Sequence, residues 1–320
     1  MISDASSSIR CIEGVRSYCS NFVKEREWNR FHTPVNIMLA LNGEIGELSE
    51  IFQWKGEFDT SIINNVENNL LFNEKERINI GEELSDVFIY TTRLSDLCNI
   101  DLAQSVKLYL TSQDPININN FFNCMKSTTE NGNNWDTLTF DEIQKLIEKS
   151  LSNNNDIIIN NDSNNEVLKS VSNVQSFLSL KSSLNSIKNQ PRRLCLSLQN
   201  SAAKASSLFC NHHEKDSMIG LNAWNKQSVA ELAISLASII VILSIISKAF
   251  GYSLGTCITE KFVKNAAKYP VNKVKGSSAK YTHYQNMNEN KLFNKIINSK
   301  ITLISFGLIC GIILTKFHKF

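Results

Sequence analysis

Two pairs of acidic residues on amphipathic segments place the strongest limit on what this chain can fold into. The pairs are Glu44 with Glu47 and Glu83 with Asp86. Because residues three apart share one face of a helix, each pair directs two carboxylates to the same side. Apolar residues recur around both pairs at helical spacing, and the acids lie at the edge of the apolar stripe. We therefore expect two helices that meet along these stripes.

The placement of these acids predicts a metal site. Carboxylates beside a core are rare unless they are paired or bind a cation. Four of them facing one another across two helices make an oxygen-rich cage suited to Mg²⁺, with Mn²⁺ as a second option. The predicted metal ligands are Glu44, Glu47, Glu83 and Asp86. By itself, an E-x-x-E spacing more often marks a solvated helix face. A solvent-exposed acidic face without metal therefore remains the alternative interpretation.

Composition predicts an all-α fold, and the cysteine pattern indicates a reducing compartment. The 320 residues are 42% hydrophobic, with only 4 prolines and 12 glycines, and few stretches alternate with period two. The chain is long enough for two domains. A net charge of +2 gives no case for nucleic-acid binding by bulk electrostatics. The 8 cysteines are scattered without a C-x-x-C pair, which argues against a disulfide framework or a zinc site.

Longer strings around the acids carry a resemblance to a known family. They are W-x-x-F-H-x-P-x-N followed by G-E-x-G-E-L-x-E-x-F-Q-W-K in 28–55, and E-E-L-S-D-V-x-I-Y in 82–90. Over roughly 13–102 the chain resembles the dCTP pyrophosphatases of the all-α, MazG-like nucleotide pyrophosphohydrolase superfamily. The resemblance implies that the four carboxylates bind Mg²⁺ ions, which in turn bind a triphosphate. It also implies a nucleotide pocket lined by Trp28, His32, Trp54 and Tyr90.

Each of these pocket residues has a plainer alternative, because tryptophans beside helices mostly pack in cores. One position also departs from the family. Where relatives often have a histidine nine residues before Trp28, this chain has Cys19. A thiol does not replace both hydrogen-bonding nitrogens of imidazole. The selectivity for a base is therefore less defined by the resemblance than metal binding is.

The chain also shows an internal repeat. Segment 191–209 aligns without a gap on 34–52, and 230–254 takes the place of 82–102. The four acidic positions become Ser201, Lys204, Ser235 and Ser238, so the second copy is not expected to bind metal.

The second copy carries a basic tail that the first lacks. Segment 261–284 resembles the K-x-x-x-N-x-x-K/R-Y-P string with which the family helps to bind nucleotide. The predicted phosphate or nucleotide contacts are Lys261, Asn265, Lys268 and Tyr269. A run of lysines is otherwise typical of a solvated helix face. We expect one chain to mimic a family dimer, in which the first copy supplies the metal cage and the second supplies the tail.

These patterns give the expected organisation of the chain. A short amphipathic helix is expected at 138–151, with Thr139 as N-cap and Glu142 completing a capping box. The surrounding stretch is rich in Asn, Asp and Ser and is expected to be loosely ordered. The expected units are a catalytic half at 1–113, an Asn-rich insert at 114–168, a degenerate half at 169–284, a linker at 285–299 and a tail-anchor helix at 300–316.

Two apolar segments bear on membrane association. Segment 301–315 has no charge and is flanked by lysines, so we expect a C-terminal anchor that leaves the enzyme facing the cytosol. A buried terminal helix is the alternative. Gly307 and Gly311 make a G-x-x-x-G spacing that could pair such helices into a homo-oligomer. Segment 232–247 is equally apolar, and the repeat register favours a bundle helix there over a second span.

The expected activity is Mg²⁺-dependent hydrolysis of a nucleoside triphosphate, with dCTP giving dCMP and pyrophosphate. Glu47 is expected to orient or deprotonate the attacking water. One alternative is a different substrate, such as dUTP or a modified pyrimidine triphosphate. Another is a non-catalytic, membrane-tethered helical scaffold.

Overall fold

The computed structural model of the protein describes residues 9–60, 71–111, 137–152, 184 and 186–277. Within this part the chain is all-helical and no strand occurs, which confirms the predicted fold class. An isolated bridge joins Cys11 and Thr139. Two short 3₁₀ turns, Trp28–Arg30 and Glu214–Asp216, accompany the helices. The nine α-helices of the described residues are α1 Ile12–Glu25, α2 Pro34–Gln53, α3 Glu74–Leu97, α4 Leu102–Thr111, α5 Phe140–Ser152, α6 Pro191–Asn211, α7 Lys226–Ala249, α8 Leu254–Lys268 and α9 Val271–Val274.

Local capping fixes where the two acid-bearing helices begin. Thr33 caps α2 by accepting a hydrogen bond from the Asn36 amide at 3.2 Å, and Pro34 occupies the first turn. A capping box opens α3. In it the backbone N–H of Glu76 donates to the Asn73 side chain, and the backbone N–H of Asn73 donates to the Glu76 carboxylate, both at 2.9 Å. Both helix starts are therefore set by side chains outside the predicted site.

The helices pack around one continuous apolar core. α2 lies against α3, and α6 lies against α7 in the same manner. The two pairs meet through contacts of α2 with α6 and of α3 with α7. Two more contacts involve neighbouring helices, since α4 packs on α7 and α8 packs on α3. The second of these contacts carries the predicted basic tail to the helix that bears Glu83 and Asp86.

The expected helix near 138–151 is confirmed as α5. Its capping box is formed as expected, because the Glu142 amide donates to Thr139 Oγ1 at 3.2 Å and the Thr139 amide donates to the Glu142 carboxylate at 2.8 Å. The helix buries Ile143 and Ile147 and packs against α4 and α7. This stretch of the Asn-rich region is thus part of the core, although its surroundings are polar in sequence.

Of the described helices, α7 is long and apolar enough to cross a membrane on length and composition alone. In the bundle 89% of that apolar stretch is buried, as expected of a core helix. Its surface is covered chiefly by α6, α4 and α3. The predicted anchor at 300–316 lies outside the described residues, as do the linker at 285–299 and most of the insert.

Two leucines on α6 provide a test of this packing. Leu198 is completely buried, whereas Leu196 on the same helix is 64% exposed. We predict that Leu198→Ala lowers the free energy of unfolding by about 2–5 kcal/mol, because it leaves a cavity in the core. Leu196→Ala is the matched control and should change it by less than about 0.5 kcal/mol. Chemical denaturation of the two variants measures this, and equal losses would contradict the packing of α6.

Candidate active site

Three of the four predicted metal ligands converge where α2 meets α3. Glu44, Glu83 and Asp86 each offer a carboxylate oxygen, and these oxygens all lie within 4.8 Å of one another. The convergence follows from helix geometry, since Glu83 and Asp86 share one face of α3 and α2 packs along that face. The three side chains are partly buried, so they form a recess rather than an acidic surface patch.

Glu47 lies one turn beyond Glu44 on α2 and is exposed. It is not one of the three residues whose oxygens cluster. Its charge nevertheless acts on both Glu44 and Glu83, so its carboxylate borders the cluster. The structure therefore places this predicted ligand at the solvent edge of the group.

The carboxylates of the cluster hold their protons more tightly than exposed carboxylates do. Burial, followed by the charges of Asp86, Glu47 and Glu83, raises the pKa of Glu44 to about 8. Burial is also the largest cause for Glu83, whose pKa rises to about 7 although Lys261 acts in the opposite direction. Glu83 Oε2 is buried and makes no hydrogen bond among the described residues. Buried, mutually repelling oxygens of this kind fit a divalent cation that prefers oxygen ligands.

A lysine from α8 lies against the same cluster. Lys261 Nζ forms an ion pair with Asp86 and lies 3.6 Å from the Glu82 carboxylate. Its side chain is only 12% exposed. The ammonium thus offsets part of the negative charge of α3, and it comes from a helix more than 150 positions further along the chain.

A cavity of about 140 Å³ adjoins the carboxylates and collects most of the predicted nucleotide-binding residues. Glu44 and Asp86 line it at the acidic side. Trp54 does not line it, since its side chain is 87% exposed just after the end of α2. The predicted residues that do line the cavity are Trp28, His32, Tyr90, Lys261, Asn265, Lys268 and Tyr269.

The aromatic wall of this cavity is held by contacts with the segment after α8. Trp28 donates from Nε1 to the Val274 carbonyl at 3.3 Å and meets the Tyr269 ring edge-on at 5.3 Å between centroids. Arg26 is 3% exposed and donates from Nε to the Tyr269 carbonyl at 2.9 Å. It also donates to the Phe22 carbonyl at 3.0 Å. The two ends of the described chain therefore build one wall together.

The structure adds one charged residue that the sequence patterns did not single out. Arg93 lines the cavity and pairs with Asp96 at 2.6 Å, and it donates from Nε to His32 Nδ1 at 3.4 Å. Burial, and secondly the charge of Arg93, lowers the pKa of His32 to about 4, so this imidazole is neutral at pH 7. Arg93 lies seven residues after Asp86 on α3 and therefore on the same helix face. This spacing is the sequence signal that could have identified Arg93.

An all-helical bundle with converging carboxylates beside an aromatic and cationic cavity defines a candidate site for a divalent cation. Comparison with known proteins points the same way. Over 95 residues the chain is 42% identical to mouse dCTP pyrophosphatase 1 and 40% identical to the human protein of that name. It is 40% identical to the bovine protein over 100 residues.

These matches confirm the resemblance to dCTP pyrophosphatases. They cover 30% of this chain for the mouse and human proteins and 31% for the bovine protein. The chain spans about half the length of these relatives, 52% for mouse and human and 55% for cattle. No protein-family model matches the chain. No solved structure gives a significant match either.

The raised pKa values of the cluster predict that the metal-free protein loses stability as the pH rises from 6.5 to about 8. In this range both carboxylates are deprotonated in the unfolded chain, whereas in the folded protein Glu83 loses its proton near pH 7 and Glu44 near pH 8, as their pKa values give. Folding therefore takes up protons, and the free energy of unfolding falls with rising pH. Below pH 6.5 His32, with its lowered pKa, acts in the opposite sense, which sets the lower limit of the window.

Thermal unfolding in the presence of a chelator tests this expectation. The midpoint temperature should fall between pH 6.5 and 8 for the unaltered protein and change much less for Glu44→Gln. Added Mg²⁺ should raise the midpoint more at pH 8 than at pH 6.5, because ligands must lose their protons to bind a metal. An equally steep pH dependence in Glu44→Gln would contradict the prediction.

Proposed function

We propose that this protein is a Mg²⁺-dependent nucleoside triphosphate pyrophosphohydrolase that converts dCTP to dCMP and pyrophosphate, with Mn²⁺ as an alternative metal. The observation that carries the proposal is the convergence of Glu44, Glu83 and Asp86 within 4.8 Å beside a cavity lined by aromatic residues. The relatives named dCTP pyrophosphatase 1 support dCTP as the substrate.

The residues that would hold the metal are Glu44, Glu83 and Asp86, with Glu47 at the solvent edge of the cluster. A divalent ion bound there would neutralise triphosphate charge and lower the pKa of a coordinated water. Glu83 Oε2 has no hydrogen-bond partner in the described part of the chain, and this atom supports the ligand set together with the raised pKa values of Glu44 and Glu83.

Glu47 is the proposed proton acceptor. It is exposed beside the cluster, where a water that attacks phosphorus from the open side would pass. A carboxylate at this place orients that water and takes its proton as the bond to phosphorus forms. Glu44, deeper in the recess, is left to bind cation.

The cavity is proposed to hold the nucleoside between aromatic residues and neutral polar groups. Trp28, Tyr90 and Tyr269 wall it, and His32 is a neutral hydrogen-bonding group at pH 7. Trp54, exposed after α2, remains a prediction from the family resemblance and would reach a nucleotide only from the outer side.

The basic tail is proposed to contact the triphosphate. Lys261 lies between the carboxylate cluster and the cavity, while Asn265 and Lys268 follow it along one side of α8 at helical spacing. A triphosphate that enters this site offers Lys261 new anionic partners. The lysine would then divide its contacts between Asp86 and phosphate oxygens.

We further propose that the protein is a pseudo-dimer of two related halves. Corresponding helices have corresponding environments, as Leu39 and Leu196 are 66% and 64% exposed while Leu41 and Leu198 are both fully buried. The later helix pairs also agree in length and spacing. Helices α3 and α7 each have 24 residues, and α4 and α8 each begin five residues after the preceding helix ends.

Side-chain contacts support the same proposal. The counterparts of Glu44 and Asp86 are Ser201 and Ser238, whose hydroxyl oxygens lie 2.9 Å apart. The counterpart of Lys261 is Tyr109, which donates a hydrogen bond to Ser238 at 3.4 Å, as Lys261 pairs with Asp86. The second half thus keeps the arrangement of the site with neutral hydroxyls in place of charges, and we expect no metal there.

Helix α5 fits this proposal as the counterpart of α1. Backbone hydrogen bonds from Ile12 N to Leu138 O and from Phe140 N to Arg10 O join the starts of the two helices reciprocally, at 3.1 and 3.0 Å. The proposed second half then includes α5 ahead of residue 169. The part of the Asn-rich segment between α5 and α6 then belongs to that half in sequence.

Membrane anchoring through 300–316 is also part of the proposal. Its support is the charge-free run 301–315 between Lys300 and Lys316. Such an anchor would leave the bundle facing the cytosol, and the G-x-x-x-G spacing at Gly307 and Gly311 would allow pairing of two chains.

Substitution of the clustered acids tests the activity. Glu44→Gln and Glu83→Gln should each lower Mg²⁺-dependent pyrophosphate release from dCTP at least about a hundredfold, since even outer-shell partners of metal ligands cost 10–100-fold. Glu50→Gln, an exposed acid on α2, is the matched control and should retain turnover. A panel that includes dUTP separates the substrate alternatives. No release from any triphosphate would favour the scaffold alternative.

The contribution of the second half is tested at α8. We predict that Lys261→Gln lowers kcat/KM for dCTP by roughly ten- to a hundredfold, the value of a charged hydrogen bond. Lys264→Gln is the control. Lys264 follows Lys261 by three residues on α8 and pairs with Glu82, but it does not line the cavity. Circular dichroism should show unchanged helicity in both. Equal losses in the two variants would mean that Lys261 acts only through general charge.

A further inference from the structure

A buried cation lies at the end of the cavity that faces away from the carboxylates, and the chemistry proposed above does not use it. Arg93 follows Asp86 by seven residues on α3, which places the two about 10 Å apart along the helix axis. This separation is comparable with the length of a nucleotide from its α-phosphate to the far edge of its base. If the phosphates lie at Asp86, the base lies at Arg93.

The guanidinium group of Arg93 is held in place by an ion-pair network behind it. Arg93 Nη1 lies 2.6 Å from Asp96 Oδ2, and Arg16 lies 3.1 Å from the other oxygen of the same carboxylate. Arg16 in turn pairs with Glu13 at 2.6 Å. Two arginines and two carboxylates balance, so Arg93 is carried in a neutral network although its side chain is only 6% exposed.

Part of the donor capacity of Arg93 is left for a ligand. A guanidinium has five N–H donors. Among the described residues three are engaged, by Asp96, by His32 Nδ1 and by Asn29 Oδ1. The last two contacts are both 3.4 Å long and are therefore weak. A well-placed acceptor in the cavity would bind the remaining donors or replace these long contacts.

Apart from His32, the neighbouring side chains at this end of the cavity are poor hydrogen-bonding partners for a base. Burial raises the pKa of the Cys19 thiol to about 12, so it stays a neutral, weak donor. Phe22, Val23 and Ile89 offer no hydrogen bonds. Arg93 lies close enough to Cys19 for its charge to act on that thiol. The strong donors are thus next to the position where the sequence departs from the family.

We infer that Arg93 is the base-recognition residue of this site and selects cytosine by donating two hydrogen bonds to its O2 and N3 atoms. The inference rests on the proposed function, because it assigns the base end of the same cavity. Cytosine presents O2 and N3 as adjacent acceptors, which match the parallel donors of a guanidinium. Uracil and thymine carry a hydrogen on N3, so the same orientation sets a donor against a donor.

Kinetics with two substrates measure this selection. In Arg93→Gln the ratio of kcat/KM for dCTP to that for dUTP should fall by about ten- to a hundredfold, the discrimination of one bidentate contact. The fall should come from dCTP, with dUTP changed only a few-fold. Arg16→Gln is the matched control, because it also removes an ion pair to Asp96 but lies outside the cavity. It should lower the melting temperature and leave the ratio unchanged.

An equal loss for both substrates in Arg93→Gln would overturn the inference and leave the arginine a purely structural role. A similar shift of the ratio in Arg16→Gln would overturn it as well, since the network rather than the contact would then set selectivity.

A variant-free measurement covers the case in which Arg93→Gln does not fold. In wild-type protein labelled with ¹⁵N-arginine, dCMP should shift the Arg93 Nε–H resonance and dUMP should shift it much less. Equal or absent shifts, together with dCTP turnover, would reject the role of Arg93 and keep the proposed function. A dCMP-specific shift without turnover of any triphosphate would support the role of Arg93 and reject the proposed hydrolysis.

Discussion

Repulsion among the carboxylates at the junction of α2 and α3 is the interaction around which the rest of this structure is arranged. Glu44, Glu83 and Asp86 are brought within 4.8 Å by the same helix contact that buries the core. Without a cation, the folded protein reduces this repulsion in two ways. It keeps protons on Glu44 and Glu83, and it brings the ammonium of Lys261 to Asp86. Both responses leave the cluster ready to exchange protons or a lysine contact for a divalent ion.

A neutral cluster at Ser201 and Ser238, which the proposed repeat aligns with Glu44 and Asp86, provides a comparison without this repulsion. Ser201 and Ser238 contact each other directly at 2.9 Å, with Tyr109 completing a small hydroxyl network. Hydroxyls both donate and accept, so such a cluster satisfies itself without an ion or a charged partner. The two proposed halves have similar packing of their apolar leucines and differ in the chemistry at the centre. Packing and site chemistry are therefore separable in this fold.

Much of the fold could be predicted from periodicity and capping. The helical segments around Glu44 and Glu83 and the capping box of Thr139 with Glu142 depend on local patterns that the sequence shows directly. The bundle placement of 232–247 was predicted instead from the register of the internal repeat. The polar composition around α5 concealed its role, although Leu138, Ile143 and Ile147 of this segment are buried in the core and Phe140, Leu146 and Leu151 pack against it. Local composition reports how many apolar residues a segment has and does not report whether they share a face.

The clustering of the acidic residues could be predicted from the sequence, whereas several contacts around the cavity could not. Carboxylate pairs are visible because helical spacing fixes their common direction. The contact of Arg93 with His32 and the tether from Arg26 to the Tyr269 carbonyl join residues more than 60 and 240 positions apart, which no local pattern encodes. Only the placement of Arg93 on the helix face of Asp86 follows from local spacing. Trp54 shows the converse, because a residue in a strong sequence string lies 87% exposed at the end of its helix.

The delivery of Lys261 by α8 has a consequence for how the protein behaves on dilution. In an assembly of separate subunits, a cationic side chain supplied by a neighbour is lost when the complex dissociates. Here the ammonium and its carboxylate partner belong to one covalent chain, so their encounter is intramolecular and independent of protein concentration. The pairing of Lys261 with Asp86 should persist at protein concentrations where a contact between two subunits would dissociate.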